Sequence, residues 1–124
     1  MKYITIDGDD IGQRITSAYL QNDLTKLVQI NQTVRNKTEL IASYLRSEGF
    51  EIIFCAADGV AAYSSLENID FILIFDVIQA IGAGDISFSA GVGGNLRTAY
   101  IALLSAKSSG KGRLHKFEDI KNNV

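Results

Sequence analysis

Asp7-Gly8-Asp9-Asp10 places three carboxylates within four positions, directly after the apolar run Tyr3-Ile4-Thr5-Ile6. A further acid, Asp58, stands with Gly59 between two apolar runs, Phe54-Cys55-Ala56-Ala57 and Val60-Ala61-Ala62-Tyr63. Asp-Gly between β-prone runs predicts a tight hairpin, because the turn needs positive φ and glycine supplies it. The hairpin tip then presents Asp58. If the first strand lies beside the hairpin, carboxylates from both meet at one sheet edge. Hard divalent cations take oxygen ligands from separate elements in this way. Each acid alone has a plainer role, Asp9 or Asp10 as a helix cap and Asp58 as a turn residue. Clustered like charge without a counterion is costly, which favours the cation site.

The elements that must position these groups follow from composition and periodicity. The chain has 124 residues, 47% of them hydrophobic, and no proline. That predicts one domain, 1–124, with a single core. The formal net charge of −2 argues against broad nucleic-acid binding. One cysteine, Cys55, excludes an internal disulfide and suggests a cytoplasmic protein. Charges and a glycine interrupt the first fifteen residues, so no signal peptide is expected. The apolar run from Ile69 to Ile81 is broken by Asp70, Asp76 and Gln79 and is too short to span a bilayer.

In chain order, residues 2–6 read as a strand and a helix starts from Asp9 or Asp10. Residues 23–48 are one broken helix or two, with Gly49 as the C-terminal cap. Residues 51–57 and 60–64 form the hairpin. Ser64 or Ser65 caps a helix over about 66–81, and 86–92 is a strand. Leu96, Ala99, Tyr100, Leu103, Leu104 and Ala106 mark an amphipathic helix to about Ser108. A short last strand is expected over 113–117. A split β-α-β-β-α-β unit is the ferredoxin-like arrangement, which puts the first strand beside the hairpin. The fold class expected is α+β, with an antiparallel central sheet and helices mainly on one face.

Three blocks in this order carry a family resemblance: the end of strand one, the hairpin tip, and the tail from Gly91-Val92-Gly93 to Ala106-Lys107-Ser108-Ser109-Gly110-Lys111-Gly112. The chain resembles the palm domains of nucleotidyl cyclases, which include GGDEF diguanylate cyclases and CRISPR type III polymerase palms. By size it is most similar to the minimal CRISPR polymerase family, mCpol. The resemblance implies a nucleotidyltransferase that joins nucleoside triphosphates, ATP by this likeness, into a cyclic oligonucleotide, most simply a cyclic dinucleotide. It also implies two-metal-ion catalysis with Mg2+ or Mn2+, and an anti-phage signal read by a separate effector protein.

By the same resemblance, Asp7, the Gly8 carbonyl and Asp58 are metal ligands, and Asp7 and Asp58 are catalytic. Lys107 and Lys111 hold the triphosphate, and a regular helix would present them on one face, four residues apart. Asp9, Ala57, Gly59 and Asn95 complete the nucleotide-binding candidates. Gln13, Arg14, Asn22 and Asn95 are candidates for reading the base. The family's paired glycines are Ala56-Ala57 here, and its fourth hairpin position, often acidic, is Gly59. One acidic ligand is lost unless Asp9 or Asp10 replaces it. A catalytically degenerate nucleotide sensor is therefore one alternative. The other is a phosphoacceptor receiver, which Asp9-Asp10, Ala57-Asp58-Gly59 and Asp76 mimic, although 48 residues between Asp10 and Asp58 are too many for one helix and one strand. A cyclic dinucleotide needs two attacking hydroxyls, so a homo-oligomer is expected, most simply a two-fold homodimer. Phe71, Ile72, Phe75 and Ile78 are a candidate contact face. His115, Ser87 and Ser89 read as structural.

Overall fold

Alternation along the first strand sends Ile4 and Ile6 to one face and Thr5 and Asp7 to the other. Both isoleucines are buried to 1% exposure, each worth about 1.5–3 kcal/mol of transfer free energy. The structure, a computed structural model, describes residues 1–121. Its elements are β1 (Lys2–Gly8), α1 (Ile11–Leu20), α2 (Leu24–Ser47), β2 (Glu51–Ala56) and β3 (Gly59–Ser64), followed by α3 (Phe71–Gly82), β4 (Phe88–Gly93), α4 (Leu96–Ser108), β5 (Leu114–Lys116) and α5 (Phe117–Lys121).

The five strands form one sheet in the order β2-β3-β1-β4-β5. β1 is central and antiparallel to both β3 and β4, β2 is antiparallel to β3, and only β5 runs parallel to its neighbour β4. This is the expected α+β ferredoxin-like sheet. The antiparallel pairing excludes a receiver, and Asp76 is an ordinary residue of α3. Among the described residues, no helix is long and apolar enough to cross a membrane.

The main core lies on the Ile4 and Ile6 face, where Ile30, Val34, Ile41 and Leu45 of α2 meet Phe71, Ile74, Phe75 and Ile78 of α3. Helix α4 covers the opposite face, against β4 and β1. It lies directly on the backbone of β4, because a Cβ built on Gly91 would stand 2.2 Å from Ala99 O and Leu103 N. One on Gly93 would stand 2.6 Å from Ala99 N. Ala99, Ala102 and Ala106 give the helix the matching small face. The close packing fixes where the carboxyl end of α4, and so Lys107, projects over the sheet.

Several local expectations are corrected. Residues 23–48 contain one unbroken helix, α2, capped by Asp23, whose side chain accepts from Lys26 N. Helix α3 starts at Phe71, later than the expected 66. Ser64 turns the chain by accepting from Leu66 N, Asn68 adopts φ 57°, and Asp70 caps the helix by accepting from Leu73 N. Phe71, Phe75 and Ile78, expected as a contact face, are buried in the chain's own core, and of that set only Ile72 is exposed. The hairpin forms as expected, but its positive φ falls on Ala57, at 50°, and Gly59 already belongs to β3.

A left-handed conformation costs a residue with a Cβ roughly 1–2 kcal/mol, part of which glycine returns as unfolded-state entropy. Ala57→Gly is therefore expected to stabilise the fold by about 0.5–1 kcal/mol. Urea unfolding measures this, and a destabilised variant would contradict the strain.

Candidate active site

β1 pairs with β3 and β4 so that Asp7 lies between Gly59 and Ser89. The hairpin tip is tied to the end of β1 by Gly8 N, which donates to Asp58 O at 3.0 Å. A Cβ on Gly8 would meet Ile11 Cγ1 at 2.8 Å and Asp58 Cβ at 3.3 Å, so only glycine lets the tip close this tightly. Asp7, Asp58 and Lys107 then line one cavity of about 490 Å³ between α4 and the β2–β3 hairpin. Its remaining walls are mostly apolar and include Phe54, Ala61, Tyr100 and Leu104. Volumes of about 300–1,000 Å³ are usual for small-molecule sites.

Lys107 reaches into the carboxylate corner. Its Nζ donates to Gly8 O at 3.0 Å and pairs with Asp7 Oδ2 at 2.9 Å and Asp9 Oδ1 at 3.4 Å. Burial alone would lower its pKa, but the hydrogen bond and charge of Asp7, then Asp9, outweigh that and raise it. Asp58 is pushed above the usual carboxylate range, first by burial and then by the charge of Asp7. Its own backbone N–H and Lys107 pull the other way, and a hydrogen bond with Asp7 adds to the rise. Two acids thus face each other, with one ammonium between the strand end and the helix.

Asp9 is turned inward. Its carboxylate accepts from Ser87 Oγ and Ser89 Oγ, both at 2.7 Å, and from Gly112 N at 3.0 Å. Its side chain is 4% exposed. Asp9 therefore neither caps α1 nor presents a free carboxylate to the cavity, in contrast to the sequence expectation. Asp10 occupies the cap position with φ 62° but makes no side-chain cap bond, and its carboxylate pairs with Lys111. Lys111 is not on the helix. Helix α4 ends at Ser108, and Lys111 sits in a left-handed loop with φ 62° between Gly110 and Gly112. The shared helix face expected for Lys107 and Lys111 is replaced by a loop that folds back, pinned where Gly112 N also donates to Ser89 Oγ at 2.9 Å.

Asn95 is the N-cap of α4, where its side chain accepts from Thr98 N, at the far end of the helix from Lys107. Ala57 is exposed at the hairpin tip, and Gly59 lines the cavity. Gln13 is exposed on α1, Arg14 donates to Asp85 O, and Asn22 turns the chain after α1 with φ 51°. Ser87 and Ser89 are the polar residues whose importance the sequence understated. Ser89 lies on β4 and Ser87 just before its start at Phe88, later than the expected 86, and only the fold shows Asp9 opposite them. His115 accepts or donates one bond to Ser105 Oγ through Nδ1 at 2.9 Å, away from this corner.

Asp9 holds the loop 110–112 against β4 by accepting from Ser87 Oγ, Ser89 Oγ and Gly112 N. Asp9→Asn turns one acceptor oxygen into a donor facing hydroxyl and amide donors. The expected loss is about 1–3 kcal/mol of stability. Differential scanning calorimetry checks it, and an unchanged melting temperature would show the network to be dispensable.

The donor set suits a hard cation. Asp7, the Gly8 carbonyl and Asp58 offer only oxygen, and the Lys107 ammonium already rests against the first two as a positive charge. Among the described residues, no three His, Cys, Asp or Glu side chains stand together as a metal site. Two carboxylates with a carbonyl still fit magnesium, which takes one or two protein carboxylates and fills its other positions with water and substrate phosphates.

Solved structures share this architecture. The GGDEF domain of DgcB from Caulobacter crescentus, in complex with c-di-GMP, matches with a TM-score of 0.71 at 14% identity, over 94% of this chain and 77% of that one. An EAL/GGDEF domain protein from M. capsulatus matches with a TM-score of 0.69 at 20% identity, over 94% and 83%. The active GGEEF domain of a diguanylate cyclase from Vibrio cholerae matches with a TM-score of 0.64 at 16% identity, over 94% and 81%. The fold is the palm type of the GGDEF cyclase domains. The minimal CRISPR polymerase domain model, mCpol, matches residues 3–117, and the chain belongs to that family. No curated protein matches it.

Proposed function

We propose that this domain joins nucleoside triphosphates, ATP by family likeness, into a cyclic dinucleotide that serves as a signal in anti-phage defence. The observation that carries the reading is the meeting of Asp7, Asp58 and Lys107 in one cavity, with Lys111 outside its lining and paired with Asp10. Acids and a lysine that converge from β1, the hairpin tip and the end of α4 suit a triphosphate bound with a divalent ion.

Asp7, the Gly8 carbonyl and Asp58 would hold Mg2+ or Mn2+, which supplies Lewis acidity for the attacking ribose hydroxyl and the departing pyrophosphate. Lys107 and Lys111 bind and orient the triphosphate. The ribose oxygen forms its bond to the α-phosphorus, the bond from that phosphorus to the β-phosphate bridging oxygen breaks, pyrophosphate leaves, and the hydroxyl proton passes to solvent. Two such steps close the ring. A homodimer supplies a second site, so that each nucleotide is attacker and target in turn. Holding both reactants in line replaces a bimolecular encounter with positioning.

Incubation with ATP or GTP and Mg2+, followed by chromatography and mass spectrometry, tests the reading. A cyclic dinucleotide and pyrophosphate are expected, with specific activity falling on dilution of the enzyme. Nucleotide that binds and returns unchanged would make the domain a sensor.

A further inference from the structure

We propose that Lys107 is a tethered cation that shares one oxygen cage with the divalent ion, so that ion binding transfers its ammonium to the triphosphate. The inference rests on the metal and triphosphate roles proposed above. The Lys107 Nζ contacts Asp7 Oδ2 at 2.9 Å and Gly8 O at 3.0 Å. These are the same two groups that would ligate the ion on the β1 side. An ammonium within hydrogen-bond distance of both oxygens and a divalent ion coordinated by both exclude each other, through volume and through like charge.

The surroundings let the lysine leave without stranding its neighbours. Asp9, its third partner, keeps Ser87 Oγ, Ser89 Oγ and Gly112 N as donors after the ammonium moves. The contact that is lost is also the longest of the three, at 3.4 Å. Asp7 and the Gly8 carbonyl gain the ion in exchange. The displaced ammonium sits on a flexible four-carbon stem with a side chain only 23% exposed. Half-buried, it needs a new anion. Asp7 and Asp58, the other charged groups lining the cavity, would be engaged by the ion, so a triphosphate on the ion is the remaining anion within reach.

The exchange has a signature that an ordinary phosphate-binding lysine lacks. Removing the ammonium takes away a competitor for the ion and a partner for the nucleotide, so the two affinities move in opposite directions. Coupling of this kind is reciprocal, and ion and nucleotide each strengthen the binding of the other in the wild type.

The test uses Mn2+ alone, followed by electron paramagnetic resonance, with wild type, Lys107→Met and Lys107→Gln. Calorimetric melting first confirms that the variants are folded. One charge-assisted bond to the cage corresponds to about a tenfold change in affinity. Both variants are expected to bind Mn2+ about tenfold more tightly than wild type. They are also expected to bind a non-hydrolysable ATP analogue more weakly at saturating Mn2+. Asp58→Asn should weaken Mn2+ binding in either background. Unchanged or weaker Mn2+ binding in both Lys107 variants would overturn the shared cage, as would no Mn2+ binding by any of the proteins. Failure of the wild type to make a dinucleotide, alongside tighter Mn2+ binding in the variants, would instead sink the proposed activity and leave the cage standing.

Discussion

Asp58→Asn is expected to abolish turnover and, near neutral pH, to leave the folded chain more stable than the wild type. The two effects have one cause. Asp58 carries a carboxylate whose pKa is raised by burial and by the facing Asp7. A carboxyl with a raised folded-state pKa binds its proton more tightly when folded than when unfolded. The folded state is therefore favoured below the unfolded value of 3.8, and that advantage is lost as pH rises through the raised value. The amide removes the charge and its penalty, together with the proposed metal ligand. Loss of several kcal/mol of transition-state charge stabilisation corresponds to about 10³-fold or more in rate. Urea midpoints from about pH 4 to about pH 8 should show the stability gap between variant and wild type widening as pH rises. Retained full activity, or a gap that narrows with rising pH, would contradict the arrangement. Asp7→Asn should lose activity to the same degree without the gain in stability, because it deprives Lys107 of its nearest partner.

Gly91→Ala should have the largest effect on the fold. The added Cβ would stand 2.2 Å from two backbone atoms of α4, Ala99 O and Leu103 N. Backbone cannot rotate aside as a side chain can, so the helix must lift from β4 or the strand must bend. Overpacking costs typically 1–3 kcal/mol and sometimes more, and a contact with main chain on both sides belongs at the upper end. A cost of about 3 kcal/mol corresponds to a fall of about 10 °C or more in melting temperature for a domain of this size. If the helix instead shifts as a rigid body, Lys107 moves with it and the nucleotide KM rises. Unchanged melting temperature and KM together would show that α4 does not rest on this glycine. The control is Gly94→Ala, where a Cβ would meet nothing within 4 Å.

Local chemistry accounts for what was legible beforehand. Period-two and period-3.6 patterning marked β1, the hairpin strands and α4, whose bounds at Leu96 and Ser108 match the expectation. The split β-α-β-β-α-β order implied the central position of β1 and the closeness of Asp7 to the hairpin. The start of α3 was misplaced because two serines and an aspartate all offered caps. A side-chain bond to a backbone amide chose Asp70, and the sequence carries no measure of that competition.

The sequence by itself determined the palm order of elements, the family, and which residue types can meet a cation and a phosphate. Those features depend on spacing along the chain and on the two side-chain periods, which are local properties. Tertiary structure alone decided the roles inside the acidic cluster. Asp7 faces the cavity, Asp9 turns inward to Ser87, Ser89 and Gly112, and Asp10 pairs with Lys111. The three acids are alike in type and nearly adjacent, so only their partners separate them, and those partners come from β4 and the loop beyond α4, some eighty to a hundred positions along the chain.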